Sequence, residues 1–155
     1  MIVGLPHSRH LITNNAKARG LVRRVKHGQE WQLSISQLIS IIDDDACARI
    51  ATSRLVRSLG WQARTFASCE EFLQSPHLAE TSCIVSDVQM PQVSGLELQR
   101  RLNAQGSRIP IIFMTAFCGN TVEAQAMAGG AAAFLTKPLG AKALGACIEV
   151  ALRQR

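Results

Sequence analysis

Leu38-Ile39-Ser40-Ile41-Ile42-Asp43-Asp44-Asp45 is the stretch that decides the fold of this chain. Its first five residues are nearly all apolar and show no polar alternation. Such a short run, ended abruptly by charge, reads as a strand buried on both faces. Similar runs stand at residues 62–66, 83–86, 109–114 and 131–135.

Helical patterns lie between these runs. Ala48, Ala51, Thr52, Leu55, Val56 and Leu59 share one face at spacings of three and four, and Arg49, Ser53, Arg54 and Arg57 fall outside it. Gly60 follows as a stop. Ser94 is placed to cap a helix through Leu98 and Leu102 that ends near Gly106, with Glu97 in reach of Arg100 or Arg101. Asn120 is expected to cap a helix that runs out at Gly129-Gly130. Leu144, Cys147, Ile148 and Ala151 form the apolar face of the last helix. A short second helix at 69–74 is limited by Pro76. Strand and helix therefore alternate five times, the signature of an α/β fold with a parallel sheet covered on both faces. Right-handed crossovers leave few topologies. The expectation is a flavodoxin-like, doubly wound five-stranded sheet of order 2-1-3-4-5 with five helices.

In 155 residues the hydrophobic share is 47% and the charged share 18%, which excludes a disordered chain. No apolar run approaches the length of a membrane span, and the first six residues are too short for a secretory core. Five cysteines (Cys47, Cys69, Cys83, Cys118 and Cys147) form no C-x-x-C pair, so reduced, mostly buried thiols in a cytoplasmic protein are expected. The net charge of +6 is uneven. Residues 1–36 carry Arg9, Lys17, Arg19, Arg23, Arg24 and Lys26 against Glu30 alone. They read as a basic, weakly ordered and flexible extension, with one helical turn at Leu21, Val22 and Val25. Residues 37–155 form the folded domain. A basic arm of this kind can bind nucleic acid or an anionic surface, or be no more than a solvated tail.

In open parallel sheets, ligands bind beyond the carboxyl ends of the strands. There the first run ends in Asp43-Asp44-Asp45, the third in Asp87, the fourth in Thr115 and the fifth in Thr136-Lys137-Pro138. Runs one and three are neighbours in the expected order, so their carboxylates meet. They repel one another unless a cation neutralises them. Mg²⁺ suits oxygen ligands of this kind and keeps sites open for phosphoryl oxygens. Lys137 adds a positive charge and Thr115 a hydroxyl, together a clamp for a transferring phosphoryl group. Asp87 can be the nucleophile, forming an acyl phosphate. Each residue alone has a plainer reading: an aspartate caps the next helix, and a lysine is solvated surface. The conjunction on one sheet edge carries the reading.

These residues resemble a known family. Ile41-Ile42-Asp43-Asp44-Asp45, then Ser86-Asp87-Val88-Gln89-Met90-Pro91 with Gly95, then Met114-Thr115-Ala116, then Ala133-Phe134-Leu135-Thr136-Lys137-Pro138-Leu139 are similar to the CheY-like receiver domain of bacterial two-component response regulators. The group resembled in particular includes the nitrogen-fixation regulator, whose receivers precede a helix-turn-helix output module. The resemblance covers residues 37–155 and implies the following. Asp87 accepts phosphate from a sensor histidine kinase or phosphotransfer protein. Asp44, Asp87 and the Gln89 carbonyl bind Mg²⁺, and Asp43 acts through a bound water. Thr115 and Lys137 contact the phosphoryl oxygens, and Phe134 is an aromatic switch. The Lys137-Pro138 bond is cis. The face of helix four, strand five and helix five is a dimer or output surface, in the service of transcription regulation. Such a domain is not an enzyme beyond the loss of its own phosphate. Phe117, two residues past Thr115, is expected to border the site and slow that loss. With Arg155 closing the last helix, a stand-alone receiver or a truncated regulator is expected.

Two other readings are open to the same residues. A haloacid-dehalogenase-like phosphohydrolase also uses an aspartyl phosphate, but it wants an acid where Gln89 stands. A phosphorylation-independent interaction module, with a nucleic-acid-binding basic arm, is the other.

Overall fold

The computed structural model describes residues 22–27, 30–35, 37–117 and 119–154. Five strands form one parallel sheet: β1 (Leu38–Ile42), β2 (Gln62–Phe66), β3 (Thr81–Asp87), β4 (Ile111–Thr115) and β5 (Ala133–Thr136). Their order is β2-β1-β3-β4-β5, the expected 2-1-3-4-5. Five helices connect and follow them: α1 (Ala46–Ser58), α2 (Cys69–Leu73), α3 (Gly95–Ala104), α4 (Asn120–Ala128) and α5 (Ala141–Arg153).

The apolar runs supply two cores, one on each face of the sheet. Ile42, Ile84 and Phe113 join Phe72, Leu98, Leu102 and Ala126 on the face of α2, α3 and α4. Ile39, Ile41, Val85, Ile112 and Met114 join Val56, Leu144 and Ile148 on the face of α1 and α5. Successive strand residues serve opposite cores, which is why these strands lack polar alternation. Each fully buried Ile or Leu side chain stabilises the fold by about 1.5–3 kcal/mol. Gly60, Gly106 and Gly130 lie at positive φ just past α1, α3 and α4, a conformation that costs glycine little.

The details differ from the sequence reading in several places, and β4 and β5 each begin two residues later than expected, at Ile111 and Ala133. β3 extends to Thr81 and Asp87, because Thr81 is buried and its hydroxyl bonds the Ser40 hydroxyl at 2.8 Å. On α1, Ser53 is buried and Ala51 exposed, the reverse of expectation, since Ala51 borders an open groove with Leu55, Pro138 and Leu139. Asn120 is the first residue of α4 and not its cap; Gly119 holds that place without a side-chain bond. Cys69 and Cys83 are buried, and burial pushes both thiols up to about 12, yet Cys47 is exposed. In front of the domain, Val22–His27 pairs antiparallel with Glu30–Ile35 where a helical turn was expected. Val22, Val25 and Ile35 are β-branched and favour extended backbone. Leu21, the rest of the basic segment and Cys118 lie outside the described residues.

Candidate functional site

The carboxyl edge of the sheet brings Asp43, Asp44, Asp87, Thr115 and Lys137 together, and each arrives by a local device. Asp43 follows β1 and is fully buried; one carboxylate oxygen accepts from the Asp45 amide at 2.9 Å. Asp45 leaves the cluster. Its side chain caps α1, accepting from the Cys47 and Ala48 amides at 2.7 and 3.0 Å. The aspartate triplet therefore divides between a cap and a site. Asp44 is exposed, at the mouth.

Asp87 ends β3, and its Oδ1 accepts from the Gln89 amide at 2.9 Å. Gly95 fixes the loop behind it. The Gly95 amide donates to the Val88 carbonyl at 3.1 Å, and a Cβ there would sit 2.4 Å from the Asp87 carbonyl oxygen and 2.9 Å from the Phe113 ring. Only glycine allows α3 to begin so close to the strand. This gives Gly95 of the quoted motif a physical reason.

Lys137 joins the two sides. Its Nζ donates to Asp43 Oδ2 at 2.8 Å and to Asp87 Oδ2 at 2.7 Å. Its own amide donates to the Thr115 carbonyl at 2.7 Å, and the bond to Pro138 is cis, as expected. Burial raises the pKa of Asp43, against the lowering effect of the Lys137 ammonium and the Asp45 amide. Burial alone would lower that of Lys137, but the bonds to Asp43 and Asp87 outweigh it and leave the ammonium favoured.

Carboxylate oxygens of Asp43, Asp44 and Asp87 lie within 4.8 Å of one another. Three hard anionic oxygens at this range form a donor set that can hold a metal ion, and the chemistry fits a divalent cation. Thr115 is buried at the end of β4, and its hydroxyl exchanges two 3.1 Å bonds with the backbone of Phe117. The Phe117 ring itself is 73% exposed. Its backbone meets the site through the Thr115 hydroxyl. Phe134 is half-buried on β5, its ring centroid 6.5 Å from that of Phe113.

Two features escaped the sequence reading. Arg49 Nη1 donates to the Asp43 carbonyl at 2.6 Å and the Asp44 carbonyl at 3.3 Å. A basic residue one turn into the helix after an acidic triplet is the faint signal that marks it. Gln99, 3% exposed, donates to the Ala126 carbonyl at 3.1 Å and ties α3 to α4; nothing in the sequence pattern announces this.

No helix among the described residues is long and apolar enough to cross a membrane. The sequence model of the response regulator receiver domain matches residues 39–149. The response regulator protein TodT of Pseudomonas putida is 37% identical over 118 residues, 76% of this chain and 52% of the relative. The transcriptional regulatory protein FixJ of Bradyrhizobium diazoefficiens is 40% identical over 116 residues, 75% of this chain and 57% of the relative. The chain thus spans about half the length of these relatives. The crystal structure of FixJ-N superposes with a TM-score of 0.71 at 27% identity, covering 77% of this chain and 96% of that one. Fold, site geometry and these likenesses agree: the chain belongs to the receiver-domain family of two-component response regulators.

Proposed function

We propose that this domain is a phosphoacceptor, taking a phosphoryl group on Asp87 from a phosphohistidine of a sensor kinase or phosphotransfer protein. An Asp87 oxygen attacks phosphorus, the P–N bond breaks, and the imidazole leaves with its electron pair, to be protonated. Asp43, Asp44, Asp87 and the Gln89 carbonyl would hold Mg²⁺, which when bound offsets the charge that gathers on the phosphoryl oxygens. Lys137 gives up its two carboxylate bonds for a phosphoryl oxygen. The Thr115 hydroxyl exchanges its bonds to Phe117 for another, and Phe134 turns inward beside it. The face of α4, β5 and α5 then changes shape, serving dimerisation or an output partner in transcription control. The domain is no enzyme in this reading, since it takes one group and releases it once.

The observation that carries the proposal is the Lys137 ammonium, seated between Asp43 and Asp87 at 2.8 and 2.7 Å. A surface lysine has no reason to cross 94 residues to a buried carboxylate. The test is incubation with acetyl phosphate and Mg²⁺ followed by intact mass and sizing. The chain should gain one phosphate, and Asp87→Asn none. A chain that gains none, or an Asp87→Asn protein that still gains it, overturns the proposal. For Phe117 to shield the acyl phosphate, its exposed ring must fold over Asp87. A Phe117→Ala protein that loses phosphate no faster removes that role.

A further inference from the structure

We infer that Arg49 is a positioning residue for the cation site, holding the backbone of the Asp43–Asp44 turn so that both carboxylates serve one ion. The inference rests on the metal-dependent phosphoacceptor reading above.

The argument starts from what fixes each acid. Asp43 is held at both carboxylate oxygens, by the Asp45 amide and by Lys137. Asp87 is likewise held by the Gln89 amide and Lys137. Asp44 has no such hold: its side chain is exposed and makes no hydrogen bond or ion pair among the described residues. Its place in the cluster comes from its backbone alone. There the Arg49 guanidinium meets the carbonyls of Asp43 and Asp44 together, at 2.6 and 3.3 Å. Arg49 has a fixed base, because Asp45 caps α1 by two bonds, and the Arg49 amide donates to the Asp45 carbonyl at 2.9 Å. Turn and helix are thus locked to each other at both ends of this side chain.

Lys137 and Arg49 are both cations beside the acids, but they differ in what they occupy. Lys137 takes carboxylate oxygens that a metal ion needs, so the two compete. Arg49 takes carbonyl oxygens and leaves the carboxylates free. Groups that orient metal ligands in this way commonly govern affinity about tenfold or more. Its charge acts in the opposite sense, since a nearby cation disfavours a second one. The sign of the effect therefore separates the roles. Loss of positioning weakens Mg²⁺ binding, and loss of charge alone strengthens it.

The experiment is calorimetric titration of the full chain with MgCl₂, for wild type, Arg49→Met and Arg49→Lys, with thermal unfolding of each apo form. Arg49→Met should bind Mg²⁺ about tenfold more weakly, and Arg49→Lys should recover part of the loss by keeping one carbonyl bond. A role confined to stability would lower the melting temperature and leave the Mg²⁺ Kd unchanged, which overturns the inference. A tighter Kd in Arg49→Met overturns it too. Wild type that binds no Mg²⁺ overturns the phosphoacceptor reading itself, so the two failures are distinct. If Arg49→Met does not fold, Arg49→Gln carries the same comparison.

Discussion

The two flanks of the site are built differently. On the acid flank, β1 is buried along its whole length, and α1 runs 13 residues from a cap with two side-chain bonds. On the hydroxyl flank, α4 has nine residues, begins at Gly119 with no side-chain cap, and fully buries Ala126 alone. β5 is a four-residue edge strand of half-buried and exposed residues. Met127 on α4 is 47% exposed. What ties α4 to its neighbour is a pair of amides from α3. Gln99 bonds the Ala126 carbonyl and Asn103 the Gly129 carbonyl, both at the carboxyl end of α4. Among the described residues, the amino end, next to Thr115 and Phe117, has no such tie. Elements with few buried contacts open and shift at low cost. Asp43 and Asp44 thus stand on the firmly held flank, and the Thr115 hydroxyl stands beside the loosely held one.

The largest test of this contrast is a pair of core truncations. Val56 on α1 is fully buried, and Val56→Ala should cost about 2 kcal/mol in chemical denaturation. Val122 on α4 is partly buried, and Val122→Ala should cost under about 1 kcal/mol. Equal losses would break the contrast. Next in size is Gln99→Leu, which removes the bond to the Ala126 carbonyl but leaves that carbonyl its bond from the Ala131 amide, a cost of about 1 kcal/mol. Its amide exchange should quicken in 120–128 and stay unchanged in α1. Exchange that quickens in both helices alike would show no separate tie.

Smaller effects follow at the caps. Asp45→Ala should cost about 1 kcal/mol, because two α1 amides lose their acceptor. Gly119→Ser should do the reverse for α4, by a few tenths of a kcal/mol. Gly119 already has extended cap backbone, and a Cβ there meets only a Val122 methyl at 3.9 Å. Slower amide exchange in the first turn of α4 would confirm the added cap. A Gly119→Ser protein that is less stable would mean that this end is not held loosely for want of a cap.

The contrast also explains what was legible in the sequence. β1 falls where its apolar run begins and ends, because burial on both faces leaves no other pattern, and β2 falls at its expected bounds although only Ala63 and Phe66 are buried. Asp43, Asp44, Asp87, Thr115 and Lys137 could be placed together because strand ends on one edge are neighbours once the order is fixed. Ser53 and Ala51 exchanged roles because periodicity marks a face and cannot show a groove beside Leu139. Gln99 was not legible as a tie, and Arg49 only faintly, from its place after the acidic triplet. Each works through backbone carbonyls, which every residue offers, so the partner leaves no mark in the sequence. The strands of Val22–His27 and Glu30–Ile35 were missed because charge masked β-branched residues.

Lys137 spans the two flanks, and its titration gives the smallest and most confined prediction. Its folded pKa is raised above the ordinary 10.5, because the bonds to Asp43 and Asp87 outweigh burial. The folded state therefore binds this proton more tightly than the unfolded chain does. By linkage, the stability it contributes is complete below pH 10.5 and is lost as pH rises through the folded value. Without Mg²⁺, wild type should lose melting temperature above pH 10.5 more steeply than Lys137→Met, which lacks the titrating group. The difference should vanish when Asp43→Asn and Asp87→Asn are combined with the wild-type lysine, since nothing then holds the proton. Identical alkaline profiles for wild type and Lys137→Met would mean that the ammonium only rests between the flanks and does not couple them.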